Sequence, residues 1–218
     1  LQPHQVDVNY FYDTTEIERI DYLMEVEYQA RELVDKTDFH GLQELIKREE
    51  QTPLMNNRKF RQFIIWHKAL CERHINKDFN LALKYLDEAL QLSNTSDKMY
   101  SEREIEILVN KANIYVDLKQ REKAIKIYNH IILMIGKIPY FRNERLKINL
   151  YYNLARLHLF LDNLYETIKY GKIGLNICRK TQTLYGFGHL HFILGRAYED
   201  MHKYEIALDH FKKAKFIF

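Results

Sequence analysis

The chain has 218 residues, of which 46% are hydrophobic and 29% charged, and its formal net charge at pH 7 is +3. This length and apolar content suffice for a full-sized core, in one domain or in a repeat array, and they exclude a disordered tail. Because the charge is small and contains no block of like residues, we do not expect this segment itself to bind double-stranded nucleic acid.

Three features of the sequence concern the compartment. The chain starts at Leu1 without a basic-then-apolar leader, which indicates a fragment of a longer protein that has no secretion signal. Its apolar runs are far shorter than the roughly 20 residues of a membrane-spanning helix. The two cysteines, Cys71 and Cys178, have no CxxC or CxxH neighbours, so neither a disulfide framework nor a zinc site is predicted. We therefore expect a cytoplasmic domain without membrane contact.

Apolar residues recur every three or four positions throughout the chain, and the three prolines lie outside these periodic stretches. This pattern predicts an all-α fold. In chain order, we expect a linker over 1–13 and then a helical domain over 14–218. Its predicted helical hairpins, five in number, cover about 17–51, 58–92, 101–136, 143–180 and 183–218.

The hairpins are predicted from an internal repeat of packing residues. The register positions are separated by 40, 42, 43 and 40 residues, and they are Ala30, Leu70, Ala112, Ala155 and Gly195. In the last copy, Gly195 with Tyr198 forms one stripe of alternating bulk at helical spacing, and Ala207 with Phe211 and Ala214 forms another. This alternation of bulk predicts a tight antiparallel helix pair.

Residues 188–214 resemble the tetratricopeptide repeat, with aromatic, small and tyrosine positions in the first helix and alanines with an aromatic in the second. The resemblance implies a right-handed helical solenoid of about five hairpins. Tetratricopeptide repeats usually recur at about 34 residues. The extra length here is assigned to longer helices and longer links between hairpins.

Repeats of this length, with segments such as "KANIYVDLKQREKAIKIY" (111–128) and "YYNLARLHLFLDNLYE" (151–166), are similar to one bacterial family. This is the family of peptide-pheromone receptors that includes the Rap, NprR and PlcR-type regulators, and the chain is most like the PlcR type. The resemblance implies the sensor domain of an intracellular quorum-sensing transcription regulator. Such a domain binds a short signalling peptide in its concave groove and controls a helix-turn-helix domain, here expected upstream of the linker. DNA would be contacted only through that domain.

In stacked hairpins, the first helices line the concave side. Candidate peptide-binding residues on these helices, not used for hairpin packing, are Asn113, Asn153, Asn110, Asn149, Arg156, His189, Phe192, Arg196, His67 and Lys68.

Asn113 and Asn153 are the central candidates. A carboxamide both donates and accepts, so it can pair with a guest backbone of any sequence. The alternative is an asparagine that bonds to water or to the next turn of its own helix. The family resemblance implies that asparagines at these places hold the peptide backbone.

Arg156 and Arg196 occupy equivalent places in adjacent repeats and can meet a guest carboxylate. The alternative is a solvated arginine that pairs with Glu199 or Asp200.

No catalytic motif, metal-ligand cluster or cofactor-binding loop is present, so we expect neither an enzyme nor a bound cofactor. Two other classes stay open: a Rap-type phosphatase or antiactivator scaffold, and a generic tetratricopeptide adaptor for protein tails. A tail adaptor usually adds basic residues from the next helix, where this chain has His189 and Ile193. An array needs its last hairpin covered, so the apolar end "KFIF" indicates either a following helix or a partner subunit, and we expect a homodimer.

Overall fold

The computed structural model describes the backbone of residues 8–93, 100–138 and 140–217, and the side chains of these ranges from residue 20 onward. No residue in these ranges forms a β-strand, which confirms the all-α prediction. The described α-helices are α1 (Val8–Asp35), α2 (Phe39–Glu49), α3 (Arg58–Cys71), α4 (Phe79–Gln91), α5 (Glu102–Asp117), α6 (Arg121–Ile135), α7 (Glu144–Phe160), α8 (Leu164–Thr181), α9 (Phe187–Asp200) and α10 (Tyr204–Ile217). None of them is long and apolar enough to cross a membrane.

The helices pair in chain order as α1–α2 through α9–α10. A 3₁₀ turn over Pro53–Asn56 precedes α3, and a π-helical turn over Glu72–Asn76 follows it. At the N-terminus, α1 already includes residues 8–13 of the predicted linker. Residues 1–7 of that linker lie outside the described part of the chain.

The turn inside each helix pair contains one non-glycine residue in the left-handed backbone region. These residues are Thr37, Lys77, Lys119, Asp162 and His202. Their separations of 40, 42, 43 and 40 equal those of the predicted packing register. In three of the turns the next residue, Asp38, Asp78 or Asn163, caps the second helix by accepting a backbone N–H. The repeat is therefore present in the backbone as well as in the side chains.

The described residues up to 93 form one compact unit. Its core is made by one face each of α1, α2 and α3, with Ala30, Leu42 and Ile64 fully buried. The Glu49 carboxylate is also buried, and the Tyr22 hydroxyl donates to it at 2.9 Å from Oε2. This hydrogen bond offsets part of the cost of burying the charge and fixes α1 on α2.

The described residues from 100 onward form the second unit, which contains α5–α10. Helix α7 is central to it, because α7 packs on its partner α8 and also contacts α5 and α9. One face of α7 buries Leu150 and Leu154 with Ala112 and Tyr128 of the preceding hairpin. Ile148 packs instead into the core formed with α8 and α9.

Three glycines set how closely the helices of this unit approach. A Cβ placed on Gly171 or Gly174 would lie 2.8 Å from a methyl carbon of Leu194 or Leu190, respectively. A Cβ on Gly195 would lie 2.6 Å from the Phe211 ring. Real Cβ atoms do not come this close to other atoms, so α8, α9 and α10 pack over their glycines. The predicted tight pairing of the last two helices is confirmed.

Candidate functional site

Eight of the ten predicted site residues lie on three neighbouring first helices of the second unit. Helix α7 contacts both α5 and α9, which places these helices side by side. We call the following set the first-helix face: Asn110 and Asn113 on α5, Asn149, Asn153 and Arg156 on α7, and His189, Phe192 and Arg196 on α9. The remaining two candidates, His67 and Lys68, lie on α3 in the first unit.

Side-chain contacts connect the three helices of this face. The Asn143 amide donates to the Glu106 carboxylate at 2.7 Å and so links the start of α7 to α5. Between α7 and α9, the rings of Tyr152 and His189 meet edge to face with centroids 5.6 Å apart. Side chains therefore link α5 to α7 and α7 to α9.

Asn113 and Asn153 are both half-buried, but they differ in their hydrogen bonds. The Tyr128 hydroxyl donates to Asn113 Oδ1 across the α5–α6 pair. This bond fixes the amide so that Nδ2 is left to donate. The Asn153 side chain makes no hydrogen bond to any residue that the structure describes. Its carbonyl oxygen and its amide N–H groups are therefore both available to a guest.

Asn110 and Asn149 already use their amide N–H groups. Asn110 Nδ2 donates to the Glu106 carbonyl of its own helix at 2.9 Å. Asn149 Nδ2 donates to the Tyr185 hydroxyl at 2.7 Å, and the Arg145 guanidinium lies 4.1 Å from the centroid of the same tyrosine ring. Each of these two asparagines therefore keeps its carbonyl oxygen and its second amide N–H for a guest.

The two arginines of the face occupy equivalent register positions and have different environments. Arg196 is exposed and pairs with Glu199 at 3.0 Å. Arg156 is half-buried and lies over the Tyr152 ring, with Cζ 5.7 Å from the centroid. Its Nε is fully buried and has no hydrogen-bond partner. The sequence contains the signal for this difference, because the residue three positions after Arg156 is Leu159 rather than an acid.

His189 and Phe192 are exposed on α9. The Phe192 ring is 48% exposed and approaches the Phe211 ring of α10, with centroids 5.9 Å apart. His189 covers the edge of Tyr152. They supply the apolar and aromatic part of the first-helix face.

His67 and Lys68 are engaged within the first unit. His67 is buried, and its Nδ1 lies 2.8 Å from the Phe63 carbonyl of the preceding turn. Lys68 forms an ion pair with Glu50 at 2.6 Å, and its Nζ lies 5.2 Å from the Tyr85 ring centroid. Binding through either side chain would require an existing contact to break.

The described residues offer little for covalent or metal chemistry. None of the His, Cys, Asp and Glu side chains within them form a cluster of three or more that could hold a metal ion. Burial, with a smaller contribution from Glu72, raises the pKa of the Cys71 thiol to about 12. Burial also raises the pKa of Cys178. Both thiols are therefore protonated at neutral pH and are poor nucleophiles.

Two buried residues with polar groups were not predicted as site residues. Tyr128 is fully buried in the core, and its hydroxyl orients Asn113. His158 on α7 stacks on Tyr170 of α8, and its buried Nδ1 has no hydrogen-bond partner among the residues that the structure describes. Burial lowers the pKa of His158, so its ring is neutral at neutral pH. The repeat pattern marks the helical register of such residues but not the partner of each polar atom.

The helix pairs, their repeated turns and the row of first helices define the class of protein, a tetratricopeptide-like helical repeat domain. Solved structures agree with this class. PlcR of Bacillus thuringiensis in complex with the peptide PapR7 and DNA has a TM-score of 0.82 at 20% identity, over 98% of this chain and 75% of that chain. PlcR in its apo form has a TM-score of 0.85 at 18% identity, over 99% and 79%. BtubC from P. vanneervenii has a TM-score of 0.67 at 17% identity, over 93% and 85%.

Residues 28–218 match the model of the RNPP family C-terminal domain. The chain therefore belongs to the RNPP family. No curated protein matches the sequence.

Proposed function

We propose that this chain is the peptide-sensing domain of a cytoplasmic quorum-sensing transcription regulator. It binds a short signalling peptide along the first-helix face and controls DNA binding by a helix-turn-helix domain outside this chain. The peptide acts by favouring one arrangement of the repeats over another, so its effect is a shift of populations. The proposed role is binding, with no catalytic step.

One observation carries the proposal, namely the uncommitted amides on adjacent first helices. Asn113 offers Nδ2 with its oxygen already held by Tyr128, and Asn153 offers its whole carboxamide. Membership of the RNPP family supports this role for the face, as does the likeness to PlcR, whose solved complex contains a peptide.

The expected peptide length follows from the spacing of the helices. An extended peptide rises about 3.3 Å per residue, and packed helices lie roughly 10 Å apart, so amides on neighbouring helices hold backbone groups about three residues apart. A peptide of roughly five to eight residues therefore spans the face.

Replacing either amide should weaken binding without unfolding the protein. We expect Asn113→Ala and Asn153→Ala each to reduce affinity about five- to a hundredfold, because a guest backbone group loses its partner in a partly desolvated groove. Since an amide pairs with the backbone, the loss should be similar for peptides of different sequence. The measurement is calorimetry with the tightest heptapeptides that the wild-type chain captures from a random library.

Asn176→Ala is the matched control for this experiment, because Asn176 is exposed on the second helix α8. It should leave affinity unchanged. Equal affinities for the wild-type chain and both groove variants, with the helical content intact, would remove the two asparagines from the proposed site.

We also propose that the chain forms a homodimer through α10. Support comes from the large apolar side chains exposed on this helix, which are Tyr204, Ile206, Leu208 and Phe216. We expect sedimentation at micromolar concentration to give the mass of two chains, and Leu208→Glu to shift the equilibrium toward one chain. A wild-type chain that remains monomeric at high concentration contradicts this proposal.

A further inference from the structure

Arg156 is a cationic side chain of the first-helix face that none of the described residues neutralises. It forms no ion pair and no hydrogen bond with any of them, and its buried Nε has no acceptor. The stacked ring of Tyr152 holds the guanidinium in place and cannot replace a hydrogen-bond acceptor. A buried N–H donor without an acceptor destabilises the protein. A ligand that supplies an acceptor to this guanidinium would therefore bind more tightly.

The two other arginine and lysine side chains among the candidate residues are already paired with carboxylates. Arg196, at the equivalent register position, lies 3.0 Å from Glu199. Lys68 lies 2.6 Å from Glu50. Arg156 therefore differs from both in its pairing, although all three were predicted as site residues on the same grounds.

Uncommitted amide N–H donors accompany Arg156 on the first-helix face. Asn153 lies one helical turn before it on the same side of α7, with an unused amide N–H. On the neighbouring helix α5, Asn113 Nδ2 is also left to donate, while its oxygen already accepts from Tyr128. A guanidinium without an ion-pair partner, with amide N–H donors on the same face, favours a guest that supplies acceptors and negative charge. A carboxylate fits best, because its two oxygens match the parallel N–H groups of a guanidinium edge.

We infer that Arg156 is the specificity-determining residue for a carboxylate in the guest peptide, with Asn153 donating beside it. This inference rests on the proposed peptide-binding function and adds the chemical class of the guest. The carboxylate comes either from an Asp or Glu side chain or from the C-terminus of the peptide, and both sources present the same group to the guanidinium.

Three heptapeptide libraries separate these sources. The first is random with a free C-terminus, the second is random with a C-terminal amide, and the third is amidated and lacks Asp and Glu. Each library is passed over the whole chain, and captured peptides are identified by mass spectrometry. We expect capture from the third library to be about tenfold or more below that from the first. A C-terminal carboxylate predicts weak capture from the second library, whereas a side-chain carboxylate predicts strong capture with Asp or Glu at one fixed position.

Two variants complete the experiment. Arg156→Gln keeps a polar side chain of similar length and should abolish the preference for carboxylate-bearing peptides while still capturing peptides through the asparagines. Arg196→Gln is the matched control and should retain the preference. Equal capture of all three libraries by the wild-type chain, or an unchanged preference in Arg156→Gln, overturns the carboxylate inference and leaves peptide binding standing. No capture from any library by the wild-type chain contradicts the proposed function itself.

Discussion

Acidification from pH 7 to about 4 is expected to remove about 3 kcal/mol from the free energy of unfolding through a single histidine, His191. His191 on α9 is only 2% exposed. Its Nδ1 lies 2.8 Å from Nδ1 of His210 on α10. At this distance one nitrogen must donate and the other accept, so the accepting ring is neutral and at most one ring of the pair can be charged.

The orphaned Nε2 of His191 indicates which ring donates. This atom is buried, and no described residue forms a hydrogen bond with it. An unprotonated nitrogen tolerates that position better than a buried N–H would, because an unpaired buried donor is the rarer and costlier case. His191 therefore carries its proton on Nδ1 and donates to His210, and adding a second proton would place an unpaired N–H in the core.

The direction of the pH dependence follows from the pKa values. Burial first, and then the charge of His210, lower the pKa of His191 from 6.5 to about 4. Lys213 and Arg179 act in the same direction, while Asp209 opposes them. Burial also lowers the pKa of His210, and the nearby charges of Lys213 and Lys172 lower it further.

Between pH 6.5 and about 4, the unfolded chain therefore binds a proton that the folded chain does not. The free energy of unfolding falls as the pH falls through this window, and this contribution becomes constant below it.

Urea unfolding at several pH values between 7.5 and 4 measures the effect. The double variant His191→Leu, His210→Leu should give a flatter dependence on pH, whatever its absolute stability. His202→Asn is the matched control, because His202 is an exposed histidine of the same hairpin and asparagine tolerates its left-handed backbone. An identical pH slope in the wild-type chain and the double variant would show that the pair does not control acid stability.

The repeat fold was predictable because its determinants recur at fixed spacing. Ala30, Ala112, Ala155 and Gly195 are all buried where helices meet, and any larger side chain there would separate the helices. The same spacing recurs in the turn residues with left-handed backbone. Their residue types did not predict this conformation, because lysine and threonine rarely adopt it. Close packing in every hairpin imposes the same turn, and the side chain at the turn adapts to it.

The polar partners within the candidate site were less predictable. Asn113 meets Tyr128, 15 residues later, because two helices pack at one particular distance and rotation. Asn110 has the same side chain three residues earlier but bonds to its own helix. Which asparagine stays open to a guest therefore depends on tertiary contacts, whereas the local pairing of Arg196 with Glu199 can be read from their spacing of three.

Gly195→Val is expected to lower the free energy of unfolding by about 3 kcal/mol, because α9 and α10 approach closely at Gly195. Its first added carbon would lie 2.6 Å from the Phe211 ring, so the ring or the whole of α10 must move. Gly136→Val is the matched control. Gly136 is exposed, has an ordinary right-handed backbone, and a Cβ there would lie 3.6 Å from its nearest neighbour.

A double-mutant cycle distinguishes this overpacking from a general intolerance of valine in α9. Phe211→Leu removes the ring that the added methyl groups would strike. It should therefore cost less stability in the Gly195→Val background than in the wild-type chain, with an interaction of about 1 kcal/mol or more. Urea unfolding of the four chains gives this value. Strictly additive effects at residues 195 and 211, or an equal loss in Gly136→Val, would mean that contact with Phe211 is not the reason why glycine occupies position 195.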